Sequence, residues 1–225
     1  MKISNPIKGF VNKYSPNGSV SQYLYENVAL YKSANIGLTK GHNGIDVVAP
    51  YGTPIYAVEG GLVVDVRNDA SGYGMHCRIL CDNEDKKGGR EWTYGHASKN
   101  LVKIGDRVEA GQQIQEMGNT GFVVSDVNAL GFWVKGSNKY AGTHLHLGVR
   151  EFKYDKNGWR WNPNTPKITI LNYDNGSLGA VDFKDWFQEA PYGDTLIRKT
   201  ETKYASDDPV WWANFLNLLK FLSGK

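Results

Sequence analysis

Long hydrophobic runs and an excess of one charge are both missing from this sequence of 225 residues. No stretch of 18 apolar residues occurs, so the sequence predicts no membrane-spanning helix. The net charge is only +3, and the basic residues are scattered along the chain. This balance does not favour nucleic acid as a partner, although a mildly basic surface would suit an anionic polymer such as a bacterial cell wall.

Cysteine is also scarce, with only Cys77 and Cys81 in the segment "MHCRILCD". If this segment is a strand, the two residues share a face and lie about 13 Å apart along it. That separation is too large for a disulfide, so we interpret both as reduced residues of the core. The first residues, "MKISNPIKGF", lack the apolar segment of a secretory signal peptide.

Glycine, tyrosine and tryptophan are abundant, with 26, 13 and 7 residues, and they favour a turn-rich β protein. Short β runs bounded by glycine, asparagine or aspartate follow one another from about residue 41 to residue 151. The end of the chain differs, because "SDDPVWWANFLNLLKFL" has a helix start signal and apolar residues at helical spacing. We expect this C-terminal helix to pack on the body of the domain, with docking to a membrane surface or a partner as the alternative.

Two histidines stand one residue apart in "AGTHLHLGVRE". In a strand, Leu145, Leu147 and Val149 would face the core, and the two imidazoles would share the opposite face. Two histidines and one carboxylate suit a divalent metal such as zinc. His42 and Asp46, four residues apart in "HNGID", could complete the set with one member of the pair, although a simple turn would also explain that motif.

The order of five segments resembles the lysostaphin-type (β-lytic) zinc metallopeptidases, which cut peptide bonds in bacterial peptidoglycan. These segments are "GHNGIDVVAPYGTPIYAVEGGLVVDV", "GYGMHCRIL", "WTYGHAS", "VKIGDRVEAGQQIQEMGNTG" and "THLHLGVRE". The resemblance implies a mainly β fold, an antiparallel β-sheet sandwich of the lysostaphin-like type. It also implies a division into an N-terminal segment (1–40), a peptidase core (41–152), a β/loop completion (153–190) and an extension ending in the helix (191–225).

The resemblance also implies a role for each polar residue. His42, Asp46 and His146 match the zinc ligands of the family, with one Zn²⁺ per chain. His96 and His144 match the two histidines that do not bind the metal. We assign proton transfer to His144 and stabilisation of the oxyanion to His96, and these two roles could be exchanged. His76 matches no position of the family, and we interpret it as structural.

The sequence departs from the family at two places. Some twenty residues, Phe122 to Ala141, are inserted before the histidine pair, and we expect them to form a wall or lid of the substrate groove, with a surface loop that has no role in binding as the alternative. Tyr94, Trp133 and Tyr140 are the candidate groove residues. Gly148 stands where relatives often carry a polar residue, which predicts weaker support for the metal ligands.

The predicted function is a zinc endopeptidase that acts on bacterial peptidoglycan. Because no signal peptide is visible, we expect synthesis in the cytoplasm and delivery to the cell wall as part of a phage virion, with phage tail proteins as partners. The alternative is a catalytically silent peptidase-like module that binds the wall or serves in a tail. A non-haem iron oxygenase would share two histidines and a carboxylate, but the five segments have no place in such an enzyme.

Overall fold

A computed structural model describes residues 3–123 and 140–187 of the chain. Trp133, most of the insertion and the whole predicted C-terminal helix lie outside the described residues. Within them there are eleven strands, one short α-helix and one turn of 3₁₀-helix. In chain order these are β1 (Val20–Gln22), α1 (Val28–Ser33), β2 (Ile45–Val47), β3 (Pro54–Tyr56), β4 (Gly61–Asn68), β5 (Met75–Asp82), β6 (Gly88–Gly95), β7 (Ala97–Asn100), β8 (Arg107–Val108), β9 (Gln113–Met117), β10 (Leu145–Trp159), β11 (Ile168–Ile170) and the 3₁₀ turn Lys184–Trp186.

The strands form two antiparallel sheets. The larger has the order β1-β2-β10-β6-β5-β4-β8, with β11 paired to the outer part of β10, and the smaller has the order β3-β9-β7. One hydrophobic core includes residues from both, for example Ile79 and Trp92 of the larger sheet and Ile114 of the smaller. The predicted mainly β, antiparallel sandwich is therefore confirmed.

Side-chain alternation decides which residues enter this core. Leu145, Leu147 and Val149 of β10 are all buried there, as the spacing of the histidine pair predicted. Cys77 and Cys81 are both buried and free, which confirms that they are reduced core residues. The intervening residues of each strand point to the other face of the larger sheet, where the polar groups collect.

Strand β10 is the element that brings distant segments together. Its first residues pair with β2 on one side and with β6 on the other, so that His146 lies opposite both Asp46 and Gly95. Asp46 and His146 are 100 positions apart in sequence, with Gly95 between them, but in space the three residues occupy one row across the sheet. In the parts of the chain that the structure describes, no helix is long and apolar enough to cross a membrane.

Candidate metal centre

Three side chains meet at the end of the central strands of the larger sheet. Asp46 comes from β2 and His146 from β10, and His42 belongs to the turn that precedes β2. One potential ligand atom from each residue lies within 4.8 Å of the other two, and all three residues are buried. The structure thus brings together the three residues that the sequence predicted as metal ligands.

The distances between the donor atoms are short. His42 Nε2 lies 2.9 Å from His146 Nδ1 and 3.1 Å from Asp46 Oδ1, and His146 Nδ1 lies 3.3 Å from Asp46 Oδ1. Two ligands at 2.0–2.1 Å from a tetrahedral zinc are about 3.3 Å apart. The spacing and the chemistry of the three donors therefore fit one zinc ion.

The orientation of the His42 ring is fixed by contacts with Tyr23 and Tyr31. Its Nδ1 lies 3.2 Å from the carbonyl oxygen of Tyr23, and the ring of Tyr31 stacks on it with 5.6 Å between ring centroids. A carbonyl oxygen can only accept, so in the neutral ring Nδ1 carries the hydrogen and Nε2 keeps its lone pair. This is the tautomer that a metal-binding Nε2 requires.

Charge in the centre also suits a cation. Burial would raise the pKa of Asp46, but His42, His144 and His146 outweigh it and hold this pKa well below its usual range. Burial is the main cause that lowers the pKa of His146, to about 4. Asp46 is therefore ionised and His146 neutral at pH 7, which are the forms that bind metal.

His144 and His96 form a second pair beside the three ligands. Their ring centroids are 4.6 Å apart, and His144 Nε2 lies 3.7 Å from Asp46 Oδ1. The Nδ1 atoms lie 2.8 Å from carbonyl oxygens, of Gly142 for His144 and of Thr120 for His96. Both neutral rings therefore present a lone pair at Nε2.

Gly44 allows the ligands to come this close. A Cβ atom at this position would lie 2.5 Å from the carbonyl oxygen of Leu147 and 2.8 Å from Cε1 of His146. Any side chain there would push the turn away from β10. The glycine of "HNGID" is thus required by the close approach of the His146 ring.

The two described candidates for the substrate groove, Tyr94 and Tyr140, differ in their exposure to solvent. Tyr94 is fully buried in the core, and its hydroxyl accepts a hydrogen bond from the backbone N–H of Val58 at 2.8 Å, so its assignment to the groove is wrong. Tyr140 is partly exposed and contacts the ring of Tyr51, with 5.2 Å between centroids. His76 lies 3.4 Å from Asp65 and is not among the three residues grouped as possible metal ligands, and its structural role stays a prediction.

Sequence reasoning missed Tyr73 and Asn43. The ring of Tyr73 lies 4.9 Å from the ring of His146, and its hydroxyl accepts a hydrogen bond of 2.7 Å from Nδ2 of Asn43. Asn43 is adjacent to His42, and Tyr73 lies in the quoted segment "GYGMHCRIL". Both were therefore inside the segments that carried the resemblance, but nothing in their spacing indicated that they meet.

The sequence matches Peptidase family M23 over residues 40–163, which is more than half of the chain. The chain belongs to this family. Peptidoglycan DD-endopeptidase ShyC of Vibrio cholerae is 32% identical over 133 residues, covering 59% of this chain and 24% of ShyC. Glycyl-glycine endopeptidase ALE-1 of Staphylococcus capitis is 38% identical over 116 residues, covering 50% of this chain and 31% of ALE-1.

Among solved structures, the catalytic domain of lysostaphin from Staphylococcus simulans is similar, with a TM-score of 0.42 and 23% identity. The alignment covers 66% of this chain and 80% of that domain. The chain spans less than a third of the length of each curated relative named here.

Two further relatives overturn the expected localisation. Lipoprotein YgeR of Escherichia coli is 44% identical over 80 residues, and the lipoprotein NlpD/LppB homolog of Pseudomonas aeruginosa is 39% identical over 80 residues. Each alignment covers 36% of this chain. The alignments cover 30% of YgeR and 25% of the NlpD/LppB homolog. Lipoproteins are made with a signal peptide and reside in the cell envelope, so these relatives contradict the expectation of a protein that is made in the cytoplasm without a signal peptide. The composition of "MKISNPIKGF" was not an adequate basis for it. Delivery to the wall as part of a phage virion stays a prediction from the sequence.

Proposed function

We propose that this protein is a zinc-dependent endopeptidase that hydrolyses peptide bonds in the peptide stems or cross-bridges of bacterial peptidoglycan. The observation that carries the proposal is the buried set of His42, Asp46 and His146 in a chain of family M23. The name of ShyC, a peptidoglycan DD-endopeptidase, supports peptidoglycan as the substrate class, and the names of both ShyC and ALE-1 support endopeptidase activity.

The three donors would hold one zinc ion through two imidazole nitrogens and one carboxylate oxygen. Three protein ligands are the usual number in catalytic zinc sites. When bound, zinc lowers the pKa of a coordinated water to near 7 and polarises the carbonyl group that is attacked. The carbonyl oxygen of Tyr23 keeps the Nε2 lone pair of His42 directed at this position.

His144 is the residue best placed to move the proton. Its Nε2 is free to accept a proton from the attacking water, and the carboxylate of Asp46 at 3.7 Å would stabilise the resulting imidazolium. The carbonyl oxygen of Gly142 fixes the ring through Nδ1. The same nitrogen would then pass the proton to the amine that leaves.

His96 faces the same space but is less suited to hold a proton. Burial, followed by the neighbouring His144 and His146, lowers the pKa of His96 well below its usual range. Donation to an oxyanion from Nε2 would require a second proton on this ring. Its tautomer therefore favours a role in accepting a hydrogen bond from the water or from the leaving amine.

The test is the release of new amino groups from purified peptidoglycan, with and without a chelator, by the wild-type protein and by His144→Ala. We expect release that the chelator abolishes and that zinc restores. The variant should keep its zinc, because His144 is not among the three ligands, and should lose at least about a hundredfold in rate. Zinc content is measured on both proteins by atomic absorption.

The products of the same reaction identify the bond. ShyC and ALE-1 are named for a D,D-bond and for a glycyl-glycine bond, so walls with direct and with glycine cross-links are compared. If protein that holds one zinc releases no amino groups from either wall, the proposed endopeptidase activity is contradicted. That result would favour a catalytically silent module that binds the wall. Phage tail proteins and a membrane surface, as partners of residues 191–225, stay predictions from the sequence.

A further inference from the structure

We infer that the hydroxyl group of Tyr73 binds the peptide substrate beside the metal centre, by donating a hydrogen bond to a peptide carbonyl oxygen. This inference rests on the proposed function and adds a specificity-determining contact to it. Tyr73 lies in the turn between β4 and β5, and its ring forms one wall of the centre.

The ring of Tyr73 is held firmly. It lies 4.9 Å from the ring of His146 on one side, and the guanidinium of Arg78 lies 5.5 Å from its centroid. Its backbone carbonyl accepts a hydrogen bond of 2.7 Å from the N–H of His96. Gly95 gives it room, because a Cβ atom there would lie 3.2 Å from Cδ1 of Tyr73. The side chain therefore has a fixed direction before any ligand binds.

The hydroxyl group has an unused hydrogen. Asn43 donates to the Tyr73 oxygen through Nδ2 at 2.7 Å, and an amide N–H can only donate, so this bond does not engage the phenolic hydrogen. Among residues 3–123 and 140–187, the Tyr73 hydroxyl donates to no acceptor. Tyr73 is also only partly buried, which leaves part of this residue open to solvent.

A peptide carbonyl is the acceptor that fits this donor. The proposed substrate offers carbonyl oxygens on both sides of the bond that is cut, and the groups that would cut it lie next to Tyr73. A donor that is already oriented binds with a smaller loss of conformational entropy than a flexible one. Tyr73 and Asn43 would thus fix the register of the peptide relative to His144.

The experiment compares wild-type protein with Tyr73→Phe, which removes only the hydroxyl group. Initial rates of amino-group release are measured at increasing concentrations of purified peptidoglycan. We expect kcat/KM to fall about tenfold, through a higher KM and with kcat nearly unchanged. Zinc affinity, measured by competition with a chromophoric chelator, should not change. Tyr173→Phe, which alters an exposed phenol elsewhere on the chain, is the matched control and should behave as wild type.

Each other result has a definite meaning. If Tyr73→Phe retains the wild-type KM and kcat, the inference is wrong while the proposed function stands. If the variant loses zinc affinity in proportion to activity, Tyr73 only supports the packing of His146, and the inference is again wrong. Wild-type protein that holds zinc but releases nothing would overturn the proposed function, and this inference with it.

Discussion

At the scale of single residues, the two nitrogens of His146 have different surroundings. Nδ1 faces Asp46 and His42, whereas Nε2 is buried and has no hydrogen-bond partner among the described residues. A histidine that binds metal usually donates its second ring N–H to a carboxylate, a carbonyl or water, and this partner supports the metal affinity. The sequence predicted weaker support for the metal ligands at Gly148, and the atom concerned is Nε2 of His146, which lacks such a partner.

A substitution at Gly148 could give Nε2 of His146 the hydrogen-bond partner that it lacks. A Cβ atom on Gly148 would lie 3.3 Å from Nε2 of His146 and 3.3 Å from the carbonyl oxygen of Asn43. The hydroxyl group of a serine could accept from the first and donate to the second. We predict that Gly148→Ser binds zinc about tenfold more tightly than wild type, as measured by chelator competition.

Gly148→Ala is the control for this prediction. It introduces the same Cβ atom, with the same small displacement of its neighbours, but no hydrogen-bond acceptor. We expect its zinc affinity to equal or fall below that of wild type. An equal gain in both variants would mean that the added bulk, and not the hydrogen bond, is the cause.

At the scale of the elements, the outer face of the larger sheet carries a buried network of charges. Asp65 of β4 binds Arg78 of β5 and lies 2.8 Å from Arg67. Glu91 of β6 pairs with Arg150 of β10 and accepts a hydrogen bond of 2.6 Å from Trp161. Buried charges of this kind are tolerated only when they are paired.

Asp65 makes this network dependent on pH. Burial would raise the pKa of Asp65, but the contacts with His76, Arg78 and Arg67 outweigh it and lower the pKa. A lowered carboxyl pKa stabilises the fold above the pKa of the unfolded chain, and this stabilisation is lost as the pH falls through the folded value. We predict that Asp65→Asn lowers the free energy of unfolding by about 2 kcal/mol at pH 7.

Urea unfolding with a chelator present throughout tests this prediction without a contribution from metal. The difference between Asp65→Asn and wild type should shrink below about pH 4, where the carboxyl of the unfolded chain begins to gain its proton, and should be lost as the pH falls through the lower pKa of the folded protein. Asp182→Asn is the control, because Asp182 lies 3.6 Å from Lys184 in an exposed pair, and it should cost almost nothing. A pH-independent difference for Asp65→Asn would contradict the role of its charge.

Strands β10 and β6 show which structural features the sequence patterns predicted correctly and which they did not. Alternation predicted the core face of β10 correctly, because that face is continuous over Leu145, Leu147 and Val149. The error at Tyr94 came from its place beside His96. Tyr94 follows the alternation of β6 and joins Trp92 in the core, whereas His96 has a φ of 64° and leaves the strand geometry. A left-handed conformation at a histidine has no reliable signal in the sequence.

At the scale of the whole molecule, the candidate centre depends on pairing between distant segments. Asp46 and His146 are a hundred residues apart and meet because β2 and β10 pair in this register. Spacing alone left open which histidine of the pair faces Asp46, and only the resemblance selected His146. The contact of Tyr73 with Asn43 also needs the turn after β4 to fold over β6, so it could not be read from either motif.

Because the three ligands come from distant segments, a bound metal would stabilise the fold. His42 and Asp46 come from the N-terminal side of the sheet and His146 from its central strand, so bound zinc stabilises the folded state over the unfolded chain. At zinc concentrations a thousandfold above Kd this amounts to about 4 kcal/mol. For a protein of this size we therefore predict that a chelator lowers Tm by about 10 °C. Scanning calorimetry should find this shift in wild type and not in His146→Ala, whose Tm should already be low; an equal shift in both proteins would place the stabilising metal elsewhere.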